Sequence, residues 1–434
     1  MTAEIAILNK NGVALAADSA VTIQKPGTQK IYNTANKLFM LSKYYPVGIM
    51  VYGTAELMGI PWETVIKIHR EELAASNFNR LIEFAEHFIV FLENNRALFA
   101  DRLQTSTFEA MSGWLLSQIQ TGIDNKVKHE IAGKGSIDDG GVERIVVTVV
   151  EEEFEKWNSY RRLSCFPDDF EASLVRQYTE NIDRLADSIF GKLPINPIRD
   201  KLRQICAFRM TKEWWSLSSG GIVIAGFGKG DILPVVQSYT VESIVCNKLK
   251  CDHQPGLSND MNESGVTMII PFAQAEIVHR FIRGIDPDYK VEFTQFLRSL
   301  LATEYPAKLL DQFKDRVTEE DKRNTQAELI KLARAVLSEF DGKWSDWERT
   351  KFIDPVINIV GDLPKDELAA MAESLVNLTS FKRKITAEAE TVGGPIDVAV
   401  ISKGDGFIWI KRKHYFQPEL NPAFFANYYK RGEK

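Results

Sequence analysis

The stretch Thr2-Ala-Glu-Ile-Ala-Ile-Leu-Asn-Lys-Asn-Gly-Val-Ala-Leu-Ala-Ala-Asp18 decides the fold of this chain. Apolar side chains alternate along both of its halves, which is the period-2 pattern of a β-strand. Asn9-Lys-Asn-Gly12 joins the two halves. An Asn-Gly pair between alternating runs indicates a hairpin, because both central positions of such a turn need a positive φ. The sequence therefore predicts an opening β-hairpin that ends at Asp18.

Strands and helices are predicted along the rest of the chain from the same kinds of pattern. Short apolar runs bounded by turn residues predict strands at 37–41, 47–52, 221–225, 234–239, 396–402 and 407–410. Amphipathic patterns predict helices from Pro61 and over 105–122, 142–160, 170–191, 198–215, 273–340 and 364–384. Strands thus lie at both ends and in the middle of the chain, with long helical stretches between them. We expect one core assembled from distant segments.

Composition limits the classes of protein that remain. The chain has 434 residues, 44% of them hydrophobic, and a net charge of −6, so it has ample material for a core and no general attraction for nucleic acid. No apolar run approaches the roughly eighteen residues of a membrane span. The N-terminal stretch lacks the pattern of a signal peptide, and four scattered cysteines show no zinc or thioredoxin spacing. We expect a cytoplasmic protein without a nucleic-acid or membrane partner.

Thr2 is the first candidate for a catalytic residue. Removal of Met1 would give Thr2 a free α-amine beside its own hydroxyl. An α-amine has a pKa near 8, low enough to take the hydroxyl proton at neutral pH. The residue would then carry both a nucleophile and its base. Thr is also common after Met, so this position alone does not establish an activity.

Several separated blocks together resemble the proteasome β-subunit and HslV peptidase family of N-terminal nucleophile hydrolases. They are Thr2–Leu8, Gly12–Thr22, Asn36–Phe39, Val51–Ala55, the 222–239 strand pair, and Lys365–Gly406 with Gly393-Gly-Pro-Ile-Asp-Val-Ala-Val. Asp18 follows Thr2 by sixteen residues, as in that family's pattern. The blocks occur in the family's order and cover about half of the chain.

The resemblance implies a fold and its layout. It predicts an α+β protein with a four-layer αββα sandwich and two large helical insertions. The core of this single discontinuous domain is expected at 1–77, 216–285 and 361–416, and the insertions at 78–215 and 286–360. The insertions could cap a substrate cleft or replace ring contacts of the family, or they could be ordinary helical additions.

The resemblance also implies roles for individual residues. Thr2 would be the nucleophile, Lys37 the cation that lowers the pKa values of the Thr2 hydroxyl and amine, and Asp18 the partner of Lys37. The backbone N–H near Gly53 would stabilise the oxyanion. A peptide would pair as an extended strand between the segments near Thr22 and Gly53, with Thr22, Val51 and Ala55 as the substrate-binding residues.

The expected activity is that of a threonine-type endopeptidase or amidohydrolase. It needs no metal and no other cofactor, and the six histidines show no ligand spacing. By resemblance, we expect a peptide or protein substrate, a homo-oligomer that could be a ring, and an ATPase partner whose identity the sequence does not give.

Two departures from the family pattern leave alternatives open. Ala389 and Val392 stand where active members of the proteasome branch carry Asp and Ser. A non-catalytic, proteasome-like scaffold or assembly protein, which could retain Met1, is therefore one alternative. A small-molecule amidase or acyltransferase on the same fold is the other.

Overall fold

The computed structural model describes residues 2–25, 28–74, 76–312, 318–386 and 392–430. The chain divides into two compact units. The first unit comprises Met1–Thr34 and Asp260–Asn427, and the second comprises Ala35–Asn259 and Tyr428–Lys434. Each unit contains its own antiparallel β-sheet.

The strands are numbered in chain order. They are β1 (Ala3–Asn9), β2 (Gly12–Ala17), β3 (Val21–Lys25), β4 (Thr28–Tyr32), β5 (Leu38–Met40), β6 (Val47–Tyr52), β7 (Glu56–Leu57), β8 (Ile60–Pro61), β9 (Gly220–Gly226), β10 (Val235–Val245), β11 (Lys248–His253), β12 (Asn259–Asp260), β13 (Met268–Ala273), β14 (Asp397–Ser402) and β15 (Gly406–Lys411).

The helices are numbered in the same way. They are α1 (Trp62–Leu73), α2 (Leu81–Asn94), α3 (Asp101–Lys134), α4 (Asp139–Ser159), α5 (Phe170–Phe190), α6 (Arg199–Thr211), α7 (Met261–Ser264), α8 (Glu276–Arg283), α9 (Pro287–Ser299), α10 (Tyr305–Asp311), α11 (Glu319–Glu348), α12 (Asp354–Asp362), α13 (Lys365–Ile385) and α14 (Pro422–Lys430). Short π-helical turns at Leu300–Glu304 and Arg349–Ile353 precede α10 and α12.

The sheet of the first unit has the strand order β13-β1-β2-β14-β15, and all neighbours are antiparallel. One face packs against α13. Ile5 and Ile7 of β1 and Leu375 of α13 belong to one buried cluster. Ala14 and Ala16 of β2 lie in the same cluster, and their small side chains leave room for the helix at the centre of the sheet. Each large aliphatic side chain removed from water here contributes about 2 kcal/mol.

The predicted opening hairpin is confirmed, but its turn differs from the expectation. Asn9 lies opposite Gly12, so Lys10 and Asn11 occupy the two central positions, and neither has a positive φ. The predicted turn geometry is wrong because the glycine meets a different requirement. Gly12 has a φ of 152°, and a Cβ there would lie 2.5 Å from the carbonyl oxygen of Ile401 in β14. Glycine therefore allows β14 to approach the start of β2.

Strand β13 was not predicted, and the helix expected from Ala273 begins only with α8 at Glu276. Pro271 lies within β13 and has no backbone N–H to donate. Because β13 is an edge strand that pairs with β1 alone, the sheet tolerates this proline.

The sheet of the second unit has the order β11-β10-β9-β6-β5 and is also antiparallel. Its central strands supply Ile49 and Ile224 to a buried cluster, and α1 and α2 supply Trp62, Phe84 and Phe88. The predicted strands at 47–52 and 221–225 therefore form the middle of this sheet.

A second hydrophobic core of this unit lies among α3, α4, α5 and α6. It includes Phe108, Leu116, Trp157, Ile182 and Leu202, all of them at most 2% exposed. The spacing of such residues along each helix follows the amphipathic period, so the helices bury one face each.

The elements confirm the predicted α+β class with antiparallel sheets. Among the described residues, 78–215 contains α2 to α6, and 286–360 contains α9 to α11 and most of α12, which ends at Asp362. No helix in the described part of the chain is both long enough and apolar enough to cross a membrane.

Candidate active site

Thr2 directly precedes β1 in the first unit and is 4% exposed. Its hydroxyl donates a hydrogen bond of 2.9 Å to Oε2 of Glu4, which is also buried. Side chains two residues apart on a strand share a face. The alternation that turns Ala3 and Ile5 toward α13 therefore turns Thr2 and Glu4 to the opposite face. A buried carboxylate thus holds the Thr2 hydroxyl in one orientation.

Asp18 follows β2 and is completely buried. Its Oδ1 accepts a hydrogen bond of 3.2 Å from the N–H of Ala3, the peptide group that joins Ala3 to Thr2. Its Oδ2 accepts bonds from the N–H groups of Gly393 at 2.9 Å and Ala20 at 3.2 Å. The Asp18 carboxylate therefore connects the beginning of β1 to the segment that leads into β14.

The segment before β14 carries the departure noted in the sequence. Val392 directly precedes Gly393 and is 2% exposed. A buried valine offers no hydroxyl at the position where the family pattern has serine. Ala389, the other departure, lies outside the described residues.

Lys37 and Val51 are neighbours in the second unit. The Val51 N–H donates a hydrogen bond of 2.9 Å to the carbonyl oxygen of Lys37, extending the pairing of β5 with β6 by one residue. The Lys37 side chain is buried, with 4% of its surface exposed. Val51 belongs to the apolar cluster shared with α1 and α2.

Gly53 follows β6 in a backbone conformation that favours glycine. Its φ is 84°, and a Cβ there would lie 3.1 Å from both the Cα of Gly220 and the carbonyl oxygen of Ser219. Two segments of backbone therefore meet closely at Gly53. Ala55 is exposed, and its carbonyl oxygen accepts the N–H of Trp62 at the start of α1.

The predicted site residues fall into two groups, each gathered within its own unit. Thr2 and Asp18 are brought together in the first unit. Lys37, Val51 and Gly53 are brought together by β5 and β6 in the second. Thr22 lies in β3 opposite Ile31, and its side chain is outside the described part of the structure.

Glu4 is a candidate functional residue that the sequence analysis did not select. The signal was present, because period-2 alternation places residues two apart on one face of a strand. A carboxylate two positions after the proposed nucleophile therefore shares the nucleophile's face. Gly393 was noted only as part of a sequence block, and its N–H contact with Asp18 depends on tertiary structure.

The described residues contain no group of three or more His, Cys, Asp or Glu side chains arranged to hold a metal ion. Two of the histidines are nevertheless in direct contact. His69 of α1 and His87 of α2 approach to 3.0 Å between Nε2 and Nδ1. Both belong to the second unit, and this contact joins two helices that pack on its sheet.

No known family model matches the chain, and no curated protein matches it significantly. Its function is therefore inferred from the chemistry of its residues and from the family resemblance of its sequence blocks.

Proposed function

We propose that this chain is a proteasome-like, threonine-type N-terminal nucleophile hydrolase that cleaves peptide or other amide bonds. The observation that carries the proposal is the pairing at the start of β1. There, the buried Thr2 hydroxyl donates to Glu4, and the Asp18 carboxylate accepts the N–H of the next peptide group. The four-layer αββα sandwich of that family is part of the proposal, supported by an antiparallel sheet in each unit.

The proposed reaction begins after Met1 is removed. The Thr2 Oγ attacks the carbonyl carbon of the substrate, and its proton passes to the Thr2 α-amine. The tetrahedral intermediate carries its negative charge on oxygen, with the backbone N–H at Gly53 as the proposed donor. The C–N bond breaks, and the leaving amine takes the proton. Water then hydrolyses the acyl ester and restores the Thr2 hydroxyl.

Glu4 and Lys37 have distinct parts in this scheme. Glu4 orients the hydroxyl through its 2.9 Å hydrogen bond, so the nucleophile is fixed before substrate binds. Lys37 is proposed as the cation that lowers the pKa values of the hydroxyl and the amine, as the family resemblance implies. Asp18 is proposed to hold Lys37 as well as the backbone around Thr2.

The competing function is a non-catalytic scaffold on the same fold. One observation favours it: Val392 places a buried apolar side chain where active relatives have a serine. In that case the Thr2 amine would lack part of its proton network. The same fold with a closed small-molecule pocket would instead be an amidase or acyltransferase.

Reaction with an electrophile tests the proposal. The full chain is incubated with a peptide epoxyketone or β-lactone, and intact mass and peptide mapping locate any adduct. We expect a chain that begins at Thr2 and carries one adduct on that residue. Thr2→Ala should abolish labelling, and Glu4→Gln should slow it by about 10-fold or more. Thr379→Ala is the matched control, since Thr379 is a buried threonine that bonds only within α13 in the described contacts.

Two results would overturn the proposed hydrolase function. One is a chain that retains Met1, because its Thr2 amine is then part of a peptide bond. The other is clean removal of Met1 with no adduct on Thr2. Either outcome would favour the scaffold.

The proposal also covers setting and assembly. The scattered cysteines, without zinc or thioredoxin spacing, support a cytoplasmic location. The family resemblance supports a homo-oligomer, which we propose to be a ring that works with an ATPase. Light scattering on the purified chain measures the oligomeric state directly, and a monomer at micromolar concentration would remove the ring from the proposal.

A further inference from the structure

A pocket of about 620 Å³ lies in the second unit among α3, α6 and the segment that leads from α6 to β9. Tryptophans dominate its lining, and the side chains used below are Met111, Trp114, Trp214, Trp215, Leu217 and Arg209. Its size is within the range of small-ligand sites, which are mostly apolar with a few polar groups. Nothing in the reaction scheme uses this pocket.

The three tryptophans of the lining, Trp114, Trp214 and Trp215, which we call the tryptophan wall, are held in place by contacts with neighbouring side chains. The rings of Trp114 and Trp214 lie 5.2 Å apart, and the Arg209 guanidinium lies 4.5 Å from the centroid of Trp214. Lys250, which is completely buried, donates to the carbonyl oxygen of Trp214 at 2.6 Å and lies 4.9 Å from the Trp215 ring. The pocket is therefore formed before any ligand binds, which lowers the entropy cost of binding.

The charge behind the wall selects against a cation. Glu242 accepts two hydrogen bonds from Arg209, at 2.9 and 2.7 Å, and lies 3.0 Å from Lys250 Nζ. Burial lowers the pKa of Lys250 to about 8, so this amine is still mostly protonated at neutral pH. Burial raises the pKa of Glu242, but the hydrogen bond from Arg209 and the charge of Lys250 outweigh it and bring the value to about 2. The cations Arg209 and Lys250 are thus paired with the single anion Glu242, which leaves an excess of positive charge beside the pocket.

The pocket is close to Gly53 along the chain. Its rim includes Leu217 and Ser218, and the next two residues, Ser219 and Gly220, are those that contact Gly53. Consecutive Cα atoms are 3.8 Å apart, so Ser218 lies within about 8 Å of Gly220 along the backbone. A side chain of an extended peptide passing Gly53 can therefore reach the pocket, because its residues advance about 3.3 Å each.

We propose that this tryptophan-lined pocket binds a large aromatic side chain of the substrate that carries no positive charge, and so determines which amides the enzyme selects. The inference rests on the proposed hydrolase function. Its ligand chemistry follows from ring stacking on Trp114 and Trp214, apolar contact with Met111, and the excess of positive charge behind them. Residues of α3 and α6 thereby act in substrate recognition although they lie far from Thr2 in sequence.

The binding step can be measured without catalysis. The probe is N-acetyl-4-fluorophenylalanine amide, and ¹⁹F NMR line broadening gives its affinity for the full-length Thr2→Ala chain. We expect the neutral N-acetylphenylalanine amide to displace the probe at least 10-fold more effectively than the alanine or lysine amides. Trp114→Ala and Leu217→Asp should each weaken binding at least 5-fold.

The variants are chosen so that unfolding does not mimic loss of binding. Trp114 is 46% exposed, and Leu217 is fully exposed at the rim, so neither supports the core. Trp347→Ala is the matched control, because Trp347 is 49% exposed and lies in the first unit. It should leave affinity unchanged. Unaltered binding in both Trp114→Ala and Leu217→Asp, or equal binding of the lysine amide, would overturn the pocket assignment.

A second measurement separates this inference from the proposed function. Wild-type chain is labelled with β-lactones that carry an aromatic or a small side chain. Faster labelling of Thr2 by the aromatic compound, lost in Leu217→Asp, supports both proposals. Labelling without aromatic preference overturns the pocket alone. Probe binding that depends on Trp114, without any labelling of Thr2, overturns the hydrolase and leaves the pocket as a binding site.

Discussion

At the residue scale, Asp18 shows how one buried carboxylate organises several backbone groups. Its two oxygens accept hydrogen bonds from the N–H groups of Ala3, Ala20 and Gly393. Hydrogen bonds to an ionised acceptor are stronger than neutral ones, and a buried donor left without a partner costs about 1–3 kcal/mol. Asp18 therefore stabilises the start of β1 whatever its part in catalysis.

Asp18→Asn is expected to lower the free energy of unfolding by about 2 kcal/mol. The side-chain NH₂ group of asparagine is a donor, so at least one of the backbone N–H groups that Asp18 binds would lose its acceptor. Urea denaturation followed by circular dichroism measures this change. Asp362→Asn is the control, since Asp362 lies on the surface, pairs with Lys10 at 2.6 Å, and should change stability by less than about 0.5 kcal/mol. Equal effects of the two substitutions would contradict the structural role of Asp18.

Buried His69, which contacts His87, makes stability depend on pH. Burial, assisted by the nearby charge of His87, lowers the pKa of His69 to about 3. In the unfolded chain the same group has a pKa near 6.5, so the unfolded state binds more protons between these two values. The contribution of neutral His69 to the free energy of unfolding is therefore complete above about pH 6.5. It decreases as the pH falls toward 3, by at most about 1.4 kcal/mol per pH unit.

His69→Phe should make the pH dependence of stability shallower between about pH 6 and 4.5, because phenylalanine binds no proton. The aromatic ring is retained, since His69 packs edge-on against Phe88 and Phe91 at 4.8 and 4.9 Å between centroids. Chemical denaturation at each pH gives the slope. His129→Gln, at an exposed position of α3, should leave the slope unchanged. An unchanged slope in His69→Phe would show that His69 does not remain neutral in the folded state.

At the element scale, the opening hairpin depends on one close approach. Gly12→Ala places a Cβ 2.5 Å from the Ile401 carbonyl oxygen and in a backbone conformation that disfavours side chains. We expect a loss of about 3 kcal/mol in the free energy of unfolding. Gly59→Ala is the matched control, because Gly59 also has a positive φ of 82° but no atom within 4 Å of the added Cβ. It should cost about 1 kcal/mol, and thermal unfolding of both variants compares them.

Strand and helix patterns differ in how fully the sequence reveals them. A short apolar run bounded by turn residues predicted β6 at its observed bounds, Val47–Tyr52, and the periodic helix at 364–384 corresponds to α13. Strand β13 was missed because Pro271 weakens the pattern of a strand, and only its edge position makes the proline acceptable. An edge position is a property of the sheet, which no local stretch of sequence specifies.

At the scale of the whole molecule, the first unit joins residues from both ends of the sequence. Strand β2 lies between β1 and β14, and the Asn9 side chain donates to the carbonyl oxygens of Val360 and Leu363, at 2.7 and 2.9 Å. Such contacts close very long loops, which is entropically costly and slows folding. Among the described residues, the buried members of the core among α3, α4, α5 and α6 instead lie within residues 108–245.

Removal of the segment after residue 395 tests whether the sheet of the first unit depends on this distant segment while the core of α3 to α6 does not. Without β14, strand β2 loses a hydrogen-bonded neighbour and the cluster with α13 loses Val398 and Val400. Hydrogen exchange should show lost protection for amides of β1 and β2, while amides of α3 to α6 keep theirs. Loss of protection in those helices as well, or full protection of β1 and β2, would contradict the expectation.

The resemblance of the sequence blocks to a known family predicted the α+β class, and the sequence by itself determined the opening hairpin and Thr2 as a candidate nucleophile. These follow from periodicity, turn residues and the chemistry of single side chains, all of which act over a few positions along the chain. Tertiary structure alone decided that the Gly393 N–H bonds to Asp18 and that β13 pairs with β1 at the edge of the sheet. It also decided that three tryptophans, from α3 and the α6–β9 segment, line one pocket. The physical reason is that these contacts depend on which buried faces and backbone groups meet after long loops close, and that choice is made by the free energy of the whole packed structure.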